Sequence, residues 1–196
     1  MKLVASRLLW LHLRSRRAPL ALLLITATGA LLRLLQPWTT GSGESAELLP
    51  PVLAVGAAAV IATSMTSPFG EPERATYPLP WLRLAQVTAL LLAGAALLGL
   101  ARLGHDPLAA IRNLAGFAGM AMLTATVISA PMSWIVPLAY AIYCGGPIDI
   151  HAPSLWSWPA LPSSNHAATG IALAILGAGV LGITYAGTRE RHCDPG

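Results

Sequence analysis

The chain has 196 residues, of which 55% are hydrophobic and only 10% charged, and its mean hydropathy is +0.64. Soluble domains carry roughly a quarter charged residues, so the composition excludes an ordinary soluble protein and predicts an all-α integral membrane protein. The formal net charge of +4 is spread over the ends of apolar segments, where the positive-inside rule expects basic residues, which excludes nucleic acid as a partner.

In chain order, residues 1–17 interleave Leu3, Leu8, Leu9, Leu11 and Leu13 with Arg7, His12, Arg14, Arg16 and Arg17. That pattern predicts an amphipathic interfacial helix on the cytoplasmic headgroups, or else a plain basic flank to the first span. The stretch lacks the layout of a cleavable signal, so no processing is expected. Residues 18–35 form the first expected span, with Pro19 in its first turn, where a missing N–H does no harm. The following loop carries Glu44 and Glu47 and no basic residue, and should face outward. The second span, residues 49–66, places Ala54, Ala58 and Ala62 at four-residue spacing, which lets another helix approach closely.

Residues 67–83, SPFGEPERATYPLPWLR, hold four prolines, two glutamates and two arginines, and read as a polar cytoplasmic loop. The third span covers residues 84–103. The apolar stretch from Leu108 to Gly146 is too long for one crossing, since 39 helical residues would measure close to ~60 Å against a hydrocarbon core of about 30 Å. It is expected to fold back near Ser129-Ala130-Pro131-Met132-Ser133, giving a fourth span over residues 113–130 and a short fifth over 134–146, a re-entrant hairpin being the alternative for the fifth. Residues 147–165 form an outer loop with Trp156 and Trp158 as interfacial anchors. The sixth span, residues 166–185, carries Gly170, Ala174, Ala178 and Gly182 every four residues, a stripe expected to pack on a neighbouring helix.

The result is a single transmembrane domain of six transmembrane helices, with N- and C-termini cytoplasmic, in a multi-pass protein of the plasma membrane. Lys2, Arg7, Arg14, Arg16, Arg17, Arg74, Arg83, Arg189 and Arg191 fall on the inner side, whereas Arg33, Arg102 and Arg112 fall near outer span ends, where they can snorkel.

The expected span interiors hold no carboxylate, lysine or histidine, which disfavours an ion-driven carrier. Their hydroxyls, Thr26, Thr28, Thr63, Thr88, Thr124 and Thr126, can bond back to their own helices. The only lysine is Lys2 and no GxxxxGK[ST] string exists, so the chain is not expected to bind or hydrolyse nucleotide itself. Cys144 and Cys193 form no metal-ligand pattern, and no metal is expected. The string Leu161-Pro162-Ser163-Ser164-Asn165-His166-Ala167 is similar to the PSGHA signature of membrane phosphatidic acid phosphatases, but the family's other two motifs are missing and a helix cap explains it as well. No acid/base pair or nucleophile constellation points to an enzyme.

The six-span layout, the Glu-bearing loop after the second span and the short fourth-to-fifth hairpin resemble the permease subunits of ABC exporters of the ABC-2 membrane superfamily. The loop string Glu71-Pro72-Glu73-Arg74 with Pro78-Leu79-Pro80-Trp81-Leu82-Arg83 is similar to that of small permeases from actinobacterial gene clusters. The resemblance implies export of a hydrophobic or amphipathic substrate such as a peptide, natural product or lipid. It implies pairing with a second permease, as homodimer or heterodimer, and docking on separate ABC ATPase subunits that hold ATP and Mg. Glu71, Glu73 and Arg74 would then sit on a coupling helix seated in the ATPase. The alternative class is a non-transporting membrane immunity, sensor or regulatory subunit.

Overall fold

The computed structural model describes residues 18–35, 44–65, 79–103, 105–145 and 155–188. Every regular element among them is helical. Among the described residues there are six α-helices, in chain order α1 Ala18–Leu34, α2 Glu44–Thr63, α3 Leu79–Ala101, α4 Pro107–Val127, α5 Ile135–Gly145 and α6 His166–Tyr185. A 3-10 turn, Ala130–Met132, reverses the chain between α4 and α5, and a second, Leu155–Ala160, precedes α6. The amphipathic stretch of residues 1–17 and the loop bearing Glu71, Glu73 and Arg74 lie outside the described residues.

Among the described residues, three stretches are long and apolar enough to cross a bilayer: Arg83–Ala101 of α3, all of α4 and all of α6. Each has about 20 residues, which at 1.5 Å per residue matches a hydrocarbon core of about 30 Å. Pro19–Leu34, Leu49–Thr63 and Ala130–Cys144 are shorter apolar helices. Three helices begin earlier than the sequence suggests. Helix α2 starts at Glu44 rather than 49, α3 at Leu79 rather than 84, and α4 at Pro107 rather than 113. The reason is common to all three: the first turn of a helix has N–H groups with no partner in the helix, so proline and polar residues are tolerated there. Pro50 and Pro51 lie deeper in α2 and each removes one backbone hydrogen bond from it.

Helix α4 is the hub, packing on α2, α3, α5 and α6. Of its length 61% is buried, against 28% for α6. Its sequence explains this, because Ala109, Ala110, Gly116, Ala118, Gly119, Ala121 and Ala125 are small on every side, so neighbours approach closely from several directions. The larger Leu114, Phe117 and Met122 fill the gaps between them and are fully buried. The closest approach is to α6. A Cβ built on Gly179 would stand 2.5 Å from the carbonyl oxygen of Gly119 and 2.8 Å from its Cα, so the two backbones touch. Gly182, one turn on, meets Leu123 and Thr126 at ordinary contact distance, which makes α4 and α6 run parallel. Helices α1 and α3 are likewise parallel, with Ile25 near Gly94 and Gly29 against Leu97. Ile111 lies over Gly99 and Leu114 over Gly94, so α3 and α4 are antiparallel.

The hydroxyls of Thr26, Thr28, Thr63, Thr124 and Thr126 donate to carbonyls three or four residues earlier in their own helices, at 2.8–2.9 Å. Large apolar side chains remain exposed on several helices, among them Leu23, Leu34, Leu92, Leu100, Leu108 and Leu181.

Candidate functional site

The polar residues of the bundle gather at its two ends. At the end where α3 turns into α4, Asp106 caps α4: its Oδ1 accepts from the Ala109 N–H at 3.0 Å, and Pro107 follows in the position that needs no N–H. Its Oδ2 accepts from the Ser163 N–H at 3.2 Å, tying the segment before α6 to the start of α4. Partial burial pushes the Asp106 carboxyl up, but hydrogen bonds from Ala109 and Ser163 and the nearby Arg112 charge outweigh it. The group therefore sits below the ordinary carboxylate value.

Arg112 and Asn113 stand inside α4 and are buried, 5% and 6% exposed. This differs from a snorkelling arginine at a span end, because the helix begins six residues earlier than expected and carries both side chains inward. Arg112 Nη2 donates to Leu161 O at 2.6 Å and, at 3.4 Å, to Pro159 O; its Nη1 donates to Pro162 O at 2.9 Å. Asn113 Nδ2 donates to Pro159 O at 3.0 Å, and Asn113 Oδ1 accepts from Arg112 Nε and Nη2 at 3.4 Å. Pro159 and Pro162 interrupt regular structure and supply no N–H, so the local carbonyls turn to side-chain donors. Trp158 completes the clamp. It is 1% exposed, its ring centroid is 5.3 Å from that of Phe117 and 6.2 Å from that of Tyr140, and it lies so close over Gly116 that a Cβ there would collide with the indole.

Beneath this clamp is a chamber of about 390 Å³. Its walls are Pro50 and Pro51 of α2, Arg102 and Asp106 of the α3–α4 turn, Asn113 of α4, Cys144 of α5 and the clamp residues 159–162. It therefore has an apolar side and a side with two opposite charges, at a size typical of small-molecule sites. Among the described residues no three His, Cys, Asp or Glu side chains gather within reach of one metal ion.

At the opposite end, Gln86 Nε2 of α3 donates to Ser64 O just beyond α2 at 3.2 Å. This fastens together the two helices that flank residues 66–78. Nearby in the chain, Arg83 is buried and lies over Gly187, whose φ of +72° turns the backbone after α6.

Of the residues the sequence singles out, Glu71, Glu73 and Arg74 lie outside the described residues. Gly170, Ala174 and Ala178 lie on the exposed side of α6, with nothing within 4 Å of a Cβ built on Gly170, and only Gly182 of that stripe meets α4. Asn165 caps α6, its Oδ1 accepting from Ala168 N–H at 3.0 Å, which accounts for the Pro-Ser-Ser-Asn string as a helix start. Arg112 and Asn113 escape sequence reasoning; the only signal is a pair of strongly polar residues about two turns into an otherwise apolar helix.

The described residues thus define an all-helical bundle in which three helices are long and apolar enough to span a bilayer. Comparison with protein-family models, curated proteins and solved structures finds no match.

Proposed function

We propose that the chain is the membrane-spanning permease subunit of an ATP-driven ABC transporter, exporting a hydrophobic or amphipathic substrate. In this reading all six helices cross the plasma membrane, the flanks before α1 and after α6 are cytoplasmic, and α5 with its preceding 3-10 turn makes a short crossing. A second permease pairs with it, and separate ATPase subunits hold ATP and Mg, so the chain is not itself an enzyme. The observation that carries the reading is the string Glu71-Pro72-Glu73-Arg74, which in sequence joins α2 to α3, two helices fastened by the Gln86–Ser64 bond. A push on that loop by a closing ATPase would move α2 and α3 together instead of bending one of them. Glu71, Glu73 and Arg74 would make charge-assisted contacts to the ATPase. In support, none of the carboxylates and histidines whose burial is described is buried, in keeping with a path that is not ion-driven.

The test is a pull-down from native membranes comparing the natural protein with a Glu71→Ala, Glu73→Ala, Arg74→Ala variant. Recovery of a soluble ATPase with the natural protein, and its loss from a variant that keeps its thermal stability, is the expected result. An ATPase recovered with neither form sinks the transporter reading and favours a regulatory or immunity subunit.

A further inference from the structure

Arg102 and Asp106 both line the chamber under the clamp, yet they form no ion pair with each other. Arg102 has no side-chain hydrogen bond or ion pair among the described residues. Asp106 accepts from the Ala109 and Ser163 N–H groups, with the Ser163 hydroxyl also engaged, and an ionised carboxylate has about four acceptor positions, so it can take another donor. Arg112 contributes a third charge near the chamber, but it does not line it, and its Nε, Nη1 and Nη2 each donate to the clamp carbonyls or Asn113. A simple anion drawn to Arg102 would meet Asp106 in the same space, and a simple cation would meet Arg102. A ligand carrying both charges satisfies both.

We infer that this chamber binds a small zwitterionic group, with its oxyanion on Arg102, its primary ammonium on Asp106, and any apolar chain against Pro50, Pro51 and Ala141. At roughly 30 Å³ per water-sized unit, the chamber of about 390 Å³ has room for a body of about a dozen heavy atoms. An ethanolamine-phosphate headgroup and a free amino acid or its phosphate analogue share this chemistry, the first arriving from lipid and the second from water. Asn113, which also lines the chamber, keeps its amide on Pro159 and so holds the wall in place. The inference does not depend on an ATPase partner, and its failure would leave the transport reading untouched.

Cys144 lines the same chamber and reports its filling once Cys193→Ser removes the second of the chain's two cysteines. The full chain is placed in vesicles of phosphatidylcholine alone, with added phosphatidylethanolamine, with added phosphatidylglycerol, or with soluble phosphoethanolamine, and maleimide labelling of Cys144 is timed. Phosphatidylcholine carries both charges but no ammonium N–H, and phosphatidylglycerol carries only the anion. The expected result is that an ethanolamine compound slows labelling roughly tenfold, the effect of about one charge-assisted hydrogen bond, whereas the other two lipids do not. Arg102→Gln and Asp106→Asn each remove the protection; the asparagine keeps the helix cap, so the fold is retained. Protection by the lipid alone assigns a lipid ligand, and protection by soluble phosphoethanolamine assigns a soluble one. Native mass spectrometry of protein released from mixed bilayers counts retained lipid directly, should Cys144 label too slowly to time. Equal protection or retention by phosphatidylglycerol, persistence of either in both variants, or no selectivity in any arm overturns the inference.

Discussion

Replacing Arg112 with alanine is the sharpest test of how the chamber end is built. The substitution removes the donors at 2.6 Å and 2.9 Å from the carbonyls of Leu161 and Pro162, and the weaker one to Pro159. A buried acceptor that loses its donor costs about 1–3 kcal/mol. Leu161 O loses its donor and is only partly buried, so the lower half of that range applies to it; Pro162 O keeps the Asn165 N–H at 3.1 Å and loses one hydrogen bond of about 0.5–1.5 kcal/mol, so the expected loss is about 1.5–3.5 kcal/mol. For a chain of this length each kcal/mol corresponds to about 2–4 °C, which places the fall in melting temperature at about 3–14 °C. Lysine should recover only part of it, because one ammonium cannot fork across two carbonyls. The assay is thermal unfolding in detergent followed by tryptophan fluorescence, with Trp158 sitting inside the affected clamp. A Tm for Arg112→Ala within a degree of the natural protein, or equal values for lysine and alanine, would refute the account of the clamp.

Gly119→Ala or Gly179→Ala should destabilise by about 3 kcal/mol or more, above ordinary overpacking, because the added methyl meets backbone that cannot rotate away. Gly170→Ala, with open space around it, should have the opposite sign and gain up to about 1 kcal/mol from helix propensity; parallel melting curves decide. Asp106 has a folded pKa below its unfolded one, so its contribution is complete above about pH 4 and is lost as pH falls through the lower folded value. A stability profile from pH 7 to 2.5 should therefore fall less steeply at the acid end for Asp106→Asn than for the natural protein. Gly187→Ala places a side chain at φ +72° and its Cβ 2.9 Å from Arg83 Nη1. A double-mutant cycle with Arg83→Ala should recover the steric part of the loss but leave about 1–2 kcal/mol of backbone strain.

Helices were legible in the sequence where long apolar runs left no other choice, as for α6, which spans residues 166–185 as expected. Their starts were less so, since Pro80 and Pro107 look like breakers in a string of letters but are tolerated in the first turn of a helix, and α2 runs on through Pro50 and Pro51 at the cost of two backbone hydrogen bonds. The face of α6 that meets α4 was not legible. The helix is apolar all round, so no amphipathic pattern marks a buried side, and the four-residue stripe starting at Gly170 is as good in sequence as the one that packs. Only the backbone approach of Gly119 to Gly179 distinguishes them. The clamp was hidden for a different reason. Arg112 finds its acceptors about fifty positions away, and those acceptors are carbonyls, which every residue has.

That last point makes the clamp unequal in what it asks of its two halves. Leu161 takes part through its main chain, so any residue able to hold the same path there keeps the bond, while the guanidinium of Arg112 has no substitute among the other side chains. Saturation mutagenesis should find position 161 permissive and position 112 closed. The segment before α6 could thus drift in sequence, and with it one rim of the chamber, without loosening its hold on α4.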